Sequence, residues 1–483
     1  MNRHKLCRGG ICLDTSGTLR SIISVTFSNI VSIISGILVG FVIPKILSVE
    51  GYGYYKTFTL YTTYLSLCHL GIIDGIVLKH GGSDYEHLDR YHFRSVFKWY
   101  IIVNFTFTII LSISSIFTRD DHIRFILVLL GLNVVAINVL GYFQQISQIT
   151  QRFKEFSARK IIQGIINVVL VVILYFAIRF ANGKFDYRLY VTLIVIENYI
   201  LSVWYVITYK DIIFGHASLL TKTRISIIEY IKTGVPLLVA NMCATLILTL
   251  DRQFVNVLFD VATYGVYSFA YNMLSLVTVA TSAISTVLYP TMKRSNEEEL
   301  LKRYSFLIRI ILVFVFAAMT AYFPLVYFVN WYLPKYAEAL PIFRIIFAGL
   351  PLSSAITVVI HNYYKVYNKN TYYFFKSLIV LLISAMANGI AYYFFRTTSS
   401  ISVASIVTML FWYIYTEHYF VKEYKIQYKS NLFYSIVLMI TFYSITYFFN
   451  DIIGMLVYVA AYSVITIILF KKDIWAMIRL IKR

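Results

Sequence analysis

The chain has 483 residues, of which 59% are hydrophobic and only 14% are charged, and its net charge is +20. Soluble domains average about 25% charged residues, so this composition excludes a soluble enzyme, a disordered protein and a secreted disulfide scaffold. The 43 Lys and Arg against 23 Asp and Glu would indicate nucleic-acid binding in a soluble protein, and their meaning here depends on where they lie relative to the apolar segments.

Fourteen stretches are apolar and long enough to cross a bilayer, which takes about 20 residues in a helix. The first follows a basic tail at 1–20 and is longer than the core of a signal peptide, so we interpret it as an uncleaved helix. In chain order the predicted spans are 21–43, 57–73, 99–118, 125–147, 161–178, 189–209, 233–254, 264–288, 310–332, 345–364, 377–395, 397–416, 430–450 and 452–470.

The basic residues alternate with the spans. With the N-terminus in the cytoplasm, each segment assigned to the cytoplasm carries at least three Lys or Arg, as the positive-inside rule predicts, and both termini are then cytoplasmic. This topology accounts for most of the positive charge without a nucleic-acid partner. The loops are short and contain no GxxxxGK[ST] phosphate loop, so we expect a transporter without a cofactor, a soluble catalytic domain or ATP hydrolysis.

The two halves of the chain contain related segments after spans one and seven. Val49-Glu50-Gly51-Tyr52-Gly53-Tyr54-Tyr55 matches Val261-Ala262-Thr263-Tyr264-Gly265-Val266-Tyr267 at Val, Tyr, Gly and Tyr. Each copy is predicted to join one span to the next on the outer side. Parallel repeats are a known transporter architecture, so we predict two six-helix bundles. The predicted divisions are a cytoplasmic tail at 1–20, bundles at 21–209 and 233–420, a cytoplasmic linker at 210–232, an additional helix pair at 430–470 and a basic tail at 471–483.

Three motifs carry a resemblance to a known family. The first is Pro44 followed by Glu50-Gly51-Tyr52-Gly53, the second is Leu250-Asp251-Arg252 followed by Tyr264 to Tyr271, and the third is Trp331 with Tyr336-Ala337 and Leu340-Pro341. Together they resemble the polysaccharide-biosynthesis flippases (O-antigen, Wzx type) of the multidrug/oligosaccharidyl-lipid/polysaccharide exporter superfamily. Lys79-His80 departs from that pattern at the predicted inner end of span two.

The resemblance implies an all-α integral membrane fold of the V-shaped MATE type. It further implies a flippase of the bacterial inner membrane that moves oligosaccharide repeat units linked to undecaprenyl pyrophosphate by alternating access. The product would be O-antigen of lipopolysaccharide, capsule or exopolysaccharide. Coupling to H⁺ or Na⁺ entry and association with a polysaccharide polymerase are further expectations.

Polar side chains recur at helical spacing inside several spans. Because such groups avoid lipid, they line a cavity or, in the alternative interpretation, hold helices together. We prefer the cavity for two faces, on spans four and seven, and extend it to span eight. The candidate residues are Asn138, Gln145 and Gln148 of span four, Asn241, Thr245, Thr249 and Arg252 of span seven, and Asn272 of span eight.

Three carboxylates are candidates for binding a coupling ion. Glu197 is the deepest in a span, Asp74 lies near the inner end of span two, and Asp251 lies next to Arg252. A structural pairing of Glu197 and an interfacial position of Asp74 are the alternatives. Adjacent residues on a helix point to different faces, so Asp251 and Arg252 are not expected to pair. Glu417-His418 is interpreted as a solvated helix end.

Two other classes of function remain open. A MATE-type drug or cation antiporter shares the architecture, and a membrane polymerase or glycosyltransferase would use the same lipid carrier. Enzymes of the latter kind usually need a large extramembrane loop, which the short outer segments argue against. The sequence shows no nucleophile-base set and no cluster with metal-ligand spacing.

Overall fold

The computed structural model describes residues 5–8, 11–181, 186–217, 220–293, 296–426, 429–449 and 451–481. A short antiparallel hairpin, β1 (Lys5–Arg8) and β2 (Ile11–Asp14), precedes the first helix, and most of the rest is helical. Eleven of the described helices are long and apolar enough to cross a membrane, and two bent pairs raise the number to thirteen. The helix Val261–Lys293 occupies the position of the predicted eighth span. The prediction of an all-α, multi-pass membrane protein is confirmed.

The chain divides into two compact units, Met1–Asn241 and Met242–Arg483. The first unit contains α1 (Thr15–Ile46), α2 (Val49–Thr62), α3 (Ile72–His80), α4 (Arg90–Ser114), α5 (Asp121–Ile149), α6 (Phe153–Ala181), α7 (Tyr187–Thr208) and the first part of α8 (Leu220–Leu258). Its main helix contacts join α1 to α6, α4 to α5 and α5 to α7. Buried aromatic rings fill its interior, among them Tyr100, Tyr142, Phe143 and Tyr205.

The second unit contains the rest of α8 and ten further helices. They are α9 (Val261–Lys293), α10 (Glu297–Ala318), α11 (Tyr322–Tyr332), α12 (Ala339–Ala348), α13 (Leu350–Ser354), α14 (His361–Val366), α15 (Asn370–Phe395), α16 (Thr398–Tyr424), α17 (Lys429–Phe448) and α18 (Ile452–Ile481). A π-helical segment, Ala355–Ile360, joins α13 to α14. The additional pair, α17 and α18, packs against α10 and is thus an integral part of this unit.

Each copy of the sequence repeat forms the start of a helix, α2 or α9. The sequence had predicted that these segments connect one span to the next on the outer side. Ser48 accepts the Gly51 N–H at 3.0 Å at the start of α2, and Asp260 accepts the Thr263 N–H at 3.0 Å at the start of α9. Each is an N-cap, which satisfies a backbone donor that the first turn leaves unpaired. The Thr263 hydroxyl and N–H also hold the pKa of the Asp260 carboxyl below its usual range.

Packing explains why α2 extends over residues that the sequence placed in a join. Tyr54 stacks on Tyr187 with ring centroids 5.0 Å apart, and Tyr55 meets Tyr190 at 5.1 Å. Both partners lie on α7. Burial of these rings stabilises the helix, and a count of apolar residues alone does not reveal it.

Much of the predicted linker 210–232 is helical. Leu220 begins α8, which continues without a break through the predicted seventh span. The Tyr230 hydroxyl contacts the Nε2 atoms of His80 and His92 at 2.8 and 2.9 Å. These contacts fix the first turns of α8 against α3 and α4, so this segment belongs to the first unit.

The second predicted span is bent by 61° between a 3₁₀ turn ending at His69 and the start of α3. Leu70 and Gly71 there have positive φ angles of 51° and 77°. A Cβ on Gly75 would lie 2.2 Å from the Tyr230 carbonyl oxygen, and one on Gly234 would lie 2.0 Å from that of Gly71. Glycine is therefore required where the backbones of α3 and α8 meet.

Candidate transport site

Four of the polar residues predicted to line a cavity lie on the second half of α8, three of them in the second unit. Thr249 is buried, whereas Thr245 and Arg252 are half-buried. The Thr249 hydroxyl donates to the Thr245 carbonyl at 3.0 Å, a bond within the helix. The fourth, Asn241, is exposed and is the last residue of the first unit. Asn272, on α9, is half-buried, and its carbonyl accepts the Ser275 hydroxyl at 2.6 Å.

Asp251 is buried, with 3% of its surface exposed. Its Oδ2 atom accepts hydrogen bonds from the hydroxyls of Tyr267, at 2.8 Å, and Tyr271. Its Oδ1 atom accepts the N–H of Arg252 at 2.7 Å. The Ser402 hydroxyl of α16 lies 3.3 Å from that of Tyr267. The carboxyl group thus connects α8 to α9 and, through one tyrosine, to α16.

Arg252 contacts Tyr271, one of the two tyrosines that hold Asp251. Its guanidinium carbon is 4.6 Å from the centre of the Tyr271 ring, in the range of a cation–π contact. Nη2 donates to the Leu248 carbonyl at 3.0 Å, while Nε is buried without a hydrogen-bond partner in the described chain. The expectation that Asp251 and Arg252 point to different faces is incomplete, because both side chains contact Tyr271, although no ion pair joins them within the described residues.

Asn138 of span four makes contacts between helices. Its Nδ2 atom donates to Asn104 Oδ1 at 2.6 Å and to the Leu65 carbonyl at 3.0 Å, and its own carbonyl accepts the Tyr100 hydroxyl at 2.8 Å. These bonds connect α4, α5 and the turn before α3. This is the arrangement expected of a polar residue that holds helices together.

The rest of the span-four face becomes more exposed toward the end of α5. Gln145 is half-buried and Gln148 is exposed. Arg152, which follows, places its guanidinium carbon 4.4 Å from the Tyr85 ring centre and 5.0 Å from that of Tyr209. The predicted stripe therefore divides into Asn138, which packs between helices, and two residues nearer the end of α5, of which Gln145 is half-buried and Gln148 exposed.

Glu197 is buried on α7, and its Oε1 atom accepts the Asn167 Nδ2–H of α6 at 2.9 Å. Its neighbour Asn198 donates to Asn133 Oδ1 of α5 at 3.0 Å. A carboxyl group with one amide partner inside a helix unit is suited to take up a proton or a cation.

Asp74 lies in the first turn of α3, directly after the bend of the second span. Its Oδ2 atom is 3.9 Å from His69 Nδ1 and has no hydrogen-bond partner in the described part of the chain. Irregular backbone inside a membrane protein occurs where it is buried in protein or lines a cavity, so the bend gives this carboxylate a position that hydropathy cannot indicate.

The interpretation of Glu417-His418 as a solvated helix end is wrong for its first residue. Glu417 is 1% exposed, while His418 is exposed. The helix α16 continues to Tyr424, and Glu417 lies on its inward face. Helical periodicity separates the two neighbours by about 100°, so one can be buried and the other solvated.

Several partners of the candidate residues were not found from the sequence. Tyr267 and Tyr271 hold Asp251, and Asn167 holds Glu197. The four-residue spacing of the two tyrosines places them on one helix face, which was the only available signal. Among the described residues, no group of three His, Cys, Asp or Glu is arranged to hold a metal ion.

The fold is that of known transporters. It is similar to a structure of the lipid II flippase MurJ in an inward closed conformation, with a TM-score of 0.67, 13% identity, and coverage of 94% of this chain and 100% of that one. It is also similar to an inward-facing multidrug resistance MATE family transporter of the MOP superfamily, with a TM-score of 0.55, 13% identity, and coverage of 85% of this chain and 100% of that one. A MOP superfamily transporter from Pyrococcus furiosus is similar with a TM-score of 0.53, 12% identity, and coverage of 84% of this chain and 96% of that one. The chain thus has a MOP-superfamily transporter fold.

Within that class, the sequence itself identifies the family. A family model described as "Polysaccharide biosynthesis protein" matches residues 42–333, more than half of the chain. The chain belongs to this family, which confirms the resemblance seen in the motifs. None of the curated proteins matches the sequence.

Proposed function

We propose that this protein is a flippase that moves oligosaccharide units linked to undecaprenyl pyrophosphate across the bacterial inner membrane, by alternating access, for the synthesis of a surface polysaccharide. Membership of the polysaccharide biosynthesis family and the fold shared with a lipid II flippase support this proposal. The product would be O-antigen, capsule or exopolysaccharide, and both termini would be cytoplasmic.

The physical task is to carry a polar head group past the hydrocarbon core. Desolvation of a pyrophosphate and of many hydroxyl groups is costly. A protein lowers that barrier with a cation for the phosphates and polar groups for the sugars, while the lipid tail remains in the bilayer. Arginine suits the first role, because its planar fork donates two parallel hydrogen bonds to phosphate oxygens.

The observation that carries the proposal is the state of Arg252. Its guanidinium forms no ion pair within the described chain, its Nε–H has no partner, and Asp251 is already held by two tyrosines and a backbone N–H. Tyr271 supports the guanidinium plane from one side. A positive charge that is positioned but not neutralised can receive an anionic group.

Coupling to H⁺ or Na⁺ is proposed at the buried carboxylates. Glu197 and Asp251 each lie between helices, and Asp74 lies at a bend in a span. Movement of helices during transport would change the partners of each group and thereby its affinity for a cation. Association with a polysaccharide polymerase is a further part of the proposal, since such an enzyme would consume the flipped product.

The test is surface polysaccharide in a deletion strain complemented with variants at matched membrane levels. A charge-assisted hydrogen bond is worth about 1.5–3 kcal/mol, so loss of one to phosphate lowers transport by about tenfold to a hundredfold. Arg252→Ala should lose most of the polysaccharide. Arg252→Lys keeps the charge without the fork and should retain part of it.

Arg344→Ala is the matched control. Arg344 also lies over tyrosine rings, with its guanidinium carbon 5.2 Å from the Tyr443 ring centre, donates to the Thr446 carbonyl at 3.2 Å and has an equally unpartnered Nε in the described chain, but it lies on α12 and not on the polar face of α8. If the loss of packing against tyrosine were the cause, Arg252→Ala and Arg344→Ala would lower surface polysaccharide equally. Wild-type polysaccharide from Arg252→Ala would overturn the phosphate-binding role, and sensitivity to cationic drugs without a polysaccharide defect would favour the drug or cation antiporter.

A further inference from the structure

Glu417 is a deeply buried carboxyl group to which the proposed transport site assigns no role. It lies on α16, toward the end that the topology places in the cytoplasm, and only 1% of its surface is exposed. No cation pairs with it in the described chain, and the side chain near enough to interact with it is the Tyr413 hydroxyl, which does not meet the full geometry of a hydrogen bond. Buried ionised groups are normally paired or coordinated, so an isolated carboxylate in this position needs a chemical explanation.

Two phenol groups share this environment. The hydroxyl of Tyr304, on α10, is buried without a hydrogen-bond partner in the described chain, and the buried hydroxyl of Tyr413, one turn before Glu417 on α16, lies against the carboxyl group. Both lie close enough for the charge of Glu417 to act on them. Phe420 closes the cluster, with its ring centre 5.2 Å from that of Tyr304 and 5.8 Å from that of Tyr363. We call Glu417, Tyr304 and Tyr413 the inner acid cluster.

Several other titratable and basic groups on the helices around α16 have partners elsewhere, and Lys365, half-buried on α14, forms no ion pair with Glu417. Tyr363 donates to the Leu300 carbonyl at 2.6 Å, and Tyr364 donates to the Thr416 carbonyl at 2.8 Å. Five more groups also have partners: Lys376 donates to the Tyr415 carbonyl, His361 stacks on Tyr373, Arg303 pairs with Glu299, Arg309 binds Asn431, and Arg344 binds Thr446. Within the described residues, none of them pairs with Glu417.

These observations favour a neutral acid. An isolated carboxylate among aromatic rings is strongly disfavoured relative to its protonated form, which needs no counter-ion. A hard metal cation is a poor alternative, since such ions require six or more oxygen ligands and the inner acid cluster offers one carboxyl group and two phenols.

We propose that the Glu417 carboxyl group is a proton-binding site of the second unit, protonated in this conformation and deprotonated when the cluster opens. In the release step the carboxylic O–H bond breaks, the electron pair stays on the carboxylate, and the proton passes to cytoplasmic water. Tyr304 and Tyr413 then donate their O–H groups to the anion. The link between this proton and transport rests on the proposed flippase function, whereas the proton site itself does not.

The first test is infrared difference spectroscopy of the full-length protein, purified in detergent. At neutral pH the difference between the spectra of wild type and Glu417→Gln should show the carbonyl band of one protonated carboxylic acid, in addition to any band that the other buried carboxyl groups give in both. Glu423→Gln is the matched control, because Glu423 lies on the same helix and is exposed, and it should keep the band. An identical band in wild type and Glu417→Gln would overturn the proposal.

A second variant keeps the test valid if Glu417→Gln does not fold. The double change Tyr304→Phe with Tyr413→Phe removes both hydroxyl donors and keeps the carboxyl group. Without donors for the anion, the acid band should persist to higher pH than in wild type. A band that titrates at the same pH as in wild type would show that the phenols do not serve the site.

The coupling is tested in the deletion strain, by measuring surface polysaccharide while the cytoplasm is acidified with benzoate. Wild-type output should fall, because proton release is opposed, and Glu417→Gln should lose this pH response. A wild-type response in Glu417→Gln would overturn the coupling. Failure of the flippase proposal is distinguishable, since the deletion strain itself would then keep its surface polysaccharide whatever the infrared spectra show.

Discussion

Replacing Gly234 with alanine tests the close approach of α3 and α8 in the first unit. The new Cβ would lie 2.0 Å from the Gly71 carbonyl oxygen and 2.5 Å from the Gly75 N atom. Because these are backbone atoms, no side chain can rotate away, and the helices must separate by roughly 1 Å or more to restore van der Waals contact. Overpacking of this kind costs about 1–3 kcal/mol.

Gly141→Ala is the matched control, since it lies inside α5 and a Cβ there would meet nothing within 4 Å. Alanine in an open helix interior is favoured over glycine by about 0.5–1 kcal/mol, so this variant should be as stable as wild type or more stable. The two variants should thus differ by about 1.5–4 kcal/mol. Unfolding in mixed micelles with increasing SDS, followed by circular dichroism, measures the difference. Equal stability of the two variants would refute the structural argument.

Three further predictions concern packing, coupling and topology. Asn138→Leu leaves Asn104 Oδ1 and the Leu65 carbonyl without their donor and should lower the free energy of unfolding by about 1–3 kcal/mol in the same assay. Gln148→Leu, at an exposed position, is the control and should change little. Similar losses in both variants would contradict the role of Asn138 in holding helices together. Glu197→Gln should keep protein levels and remove the dependence of transport on H⁺ or Na⁺, and an unaltered ion dependence would return Glu197 to a structural role. Reporter fusions should place Lys335 in the periplasm and Glu298 in the cytoplasm, and the opposite result at both sites would contradict the topology.

The sequence by itself determined the class of the protein. Apolar segments of bilayer length require helices, because lipid offers no partners for backbone polar groups. The predicted spans therefore correspond closely to helices in the structure. The repeat at Val49 and Val261 also marks equivalent positions, since each copy begins a capped helix. These properties are local in sequence, and periodicity and composition report them directly.

Tertiary structure alone decided which polar residues act together. Asn138 and Gln148 share a predicted face, yet one packs between helices and the other is exposed. Asp251 meets Tyr267 across sixteen residues, and Glu197 meets Asn167 across thirty. Helical spacing gives the face of a residue on its own helix, but not which helix lies opposite it.

The same reason explains the error at Glu417. A carboxylate near the end of an apolar stretch is usually solvated, since burial of a charge is costly, and hydropathy cannot distinguish the two sides of the last turn. The rings of α10, α14 and α16 that cover Glu417 come from positions far apart in the chain. Only their packing creates an environment in which a carboxyl group is held as an acid.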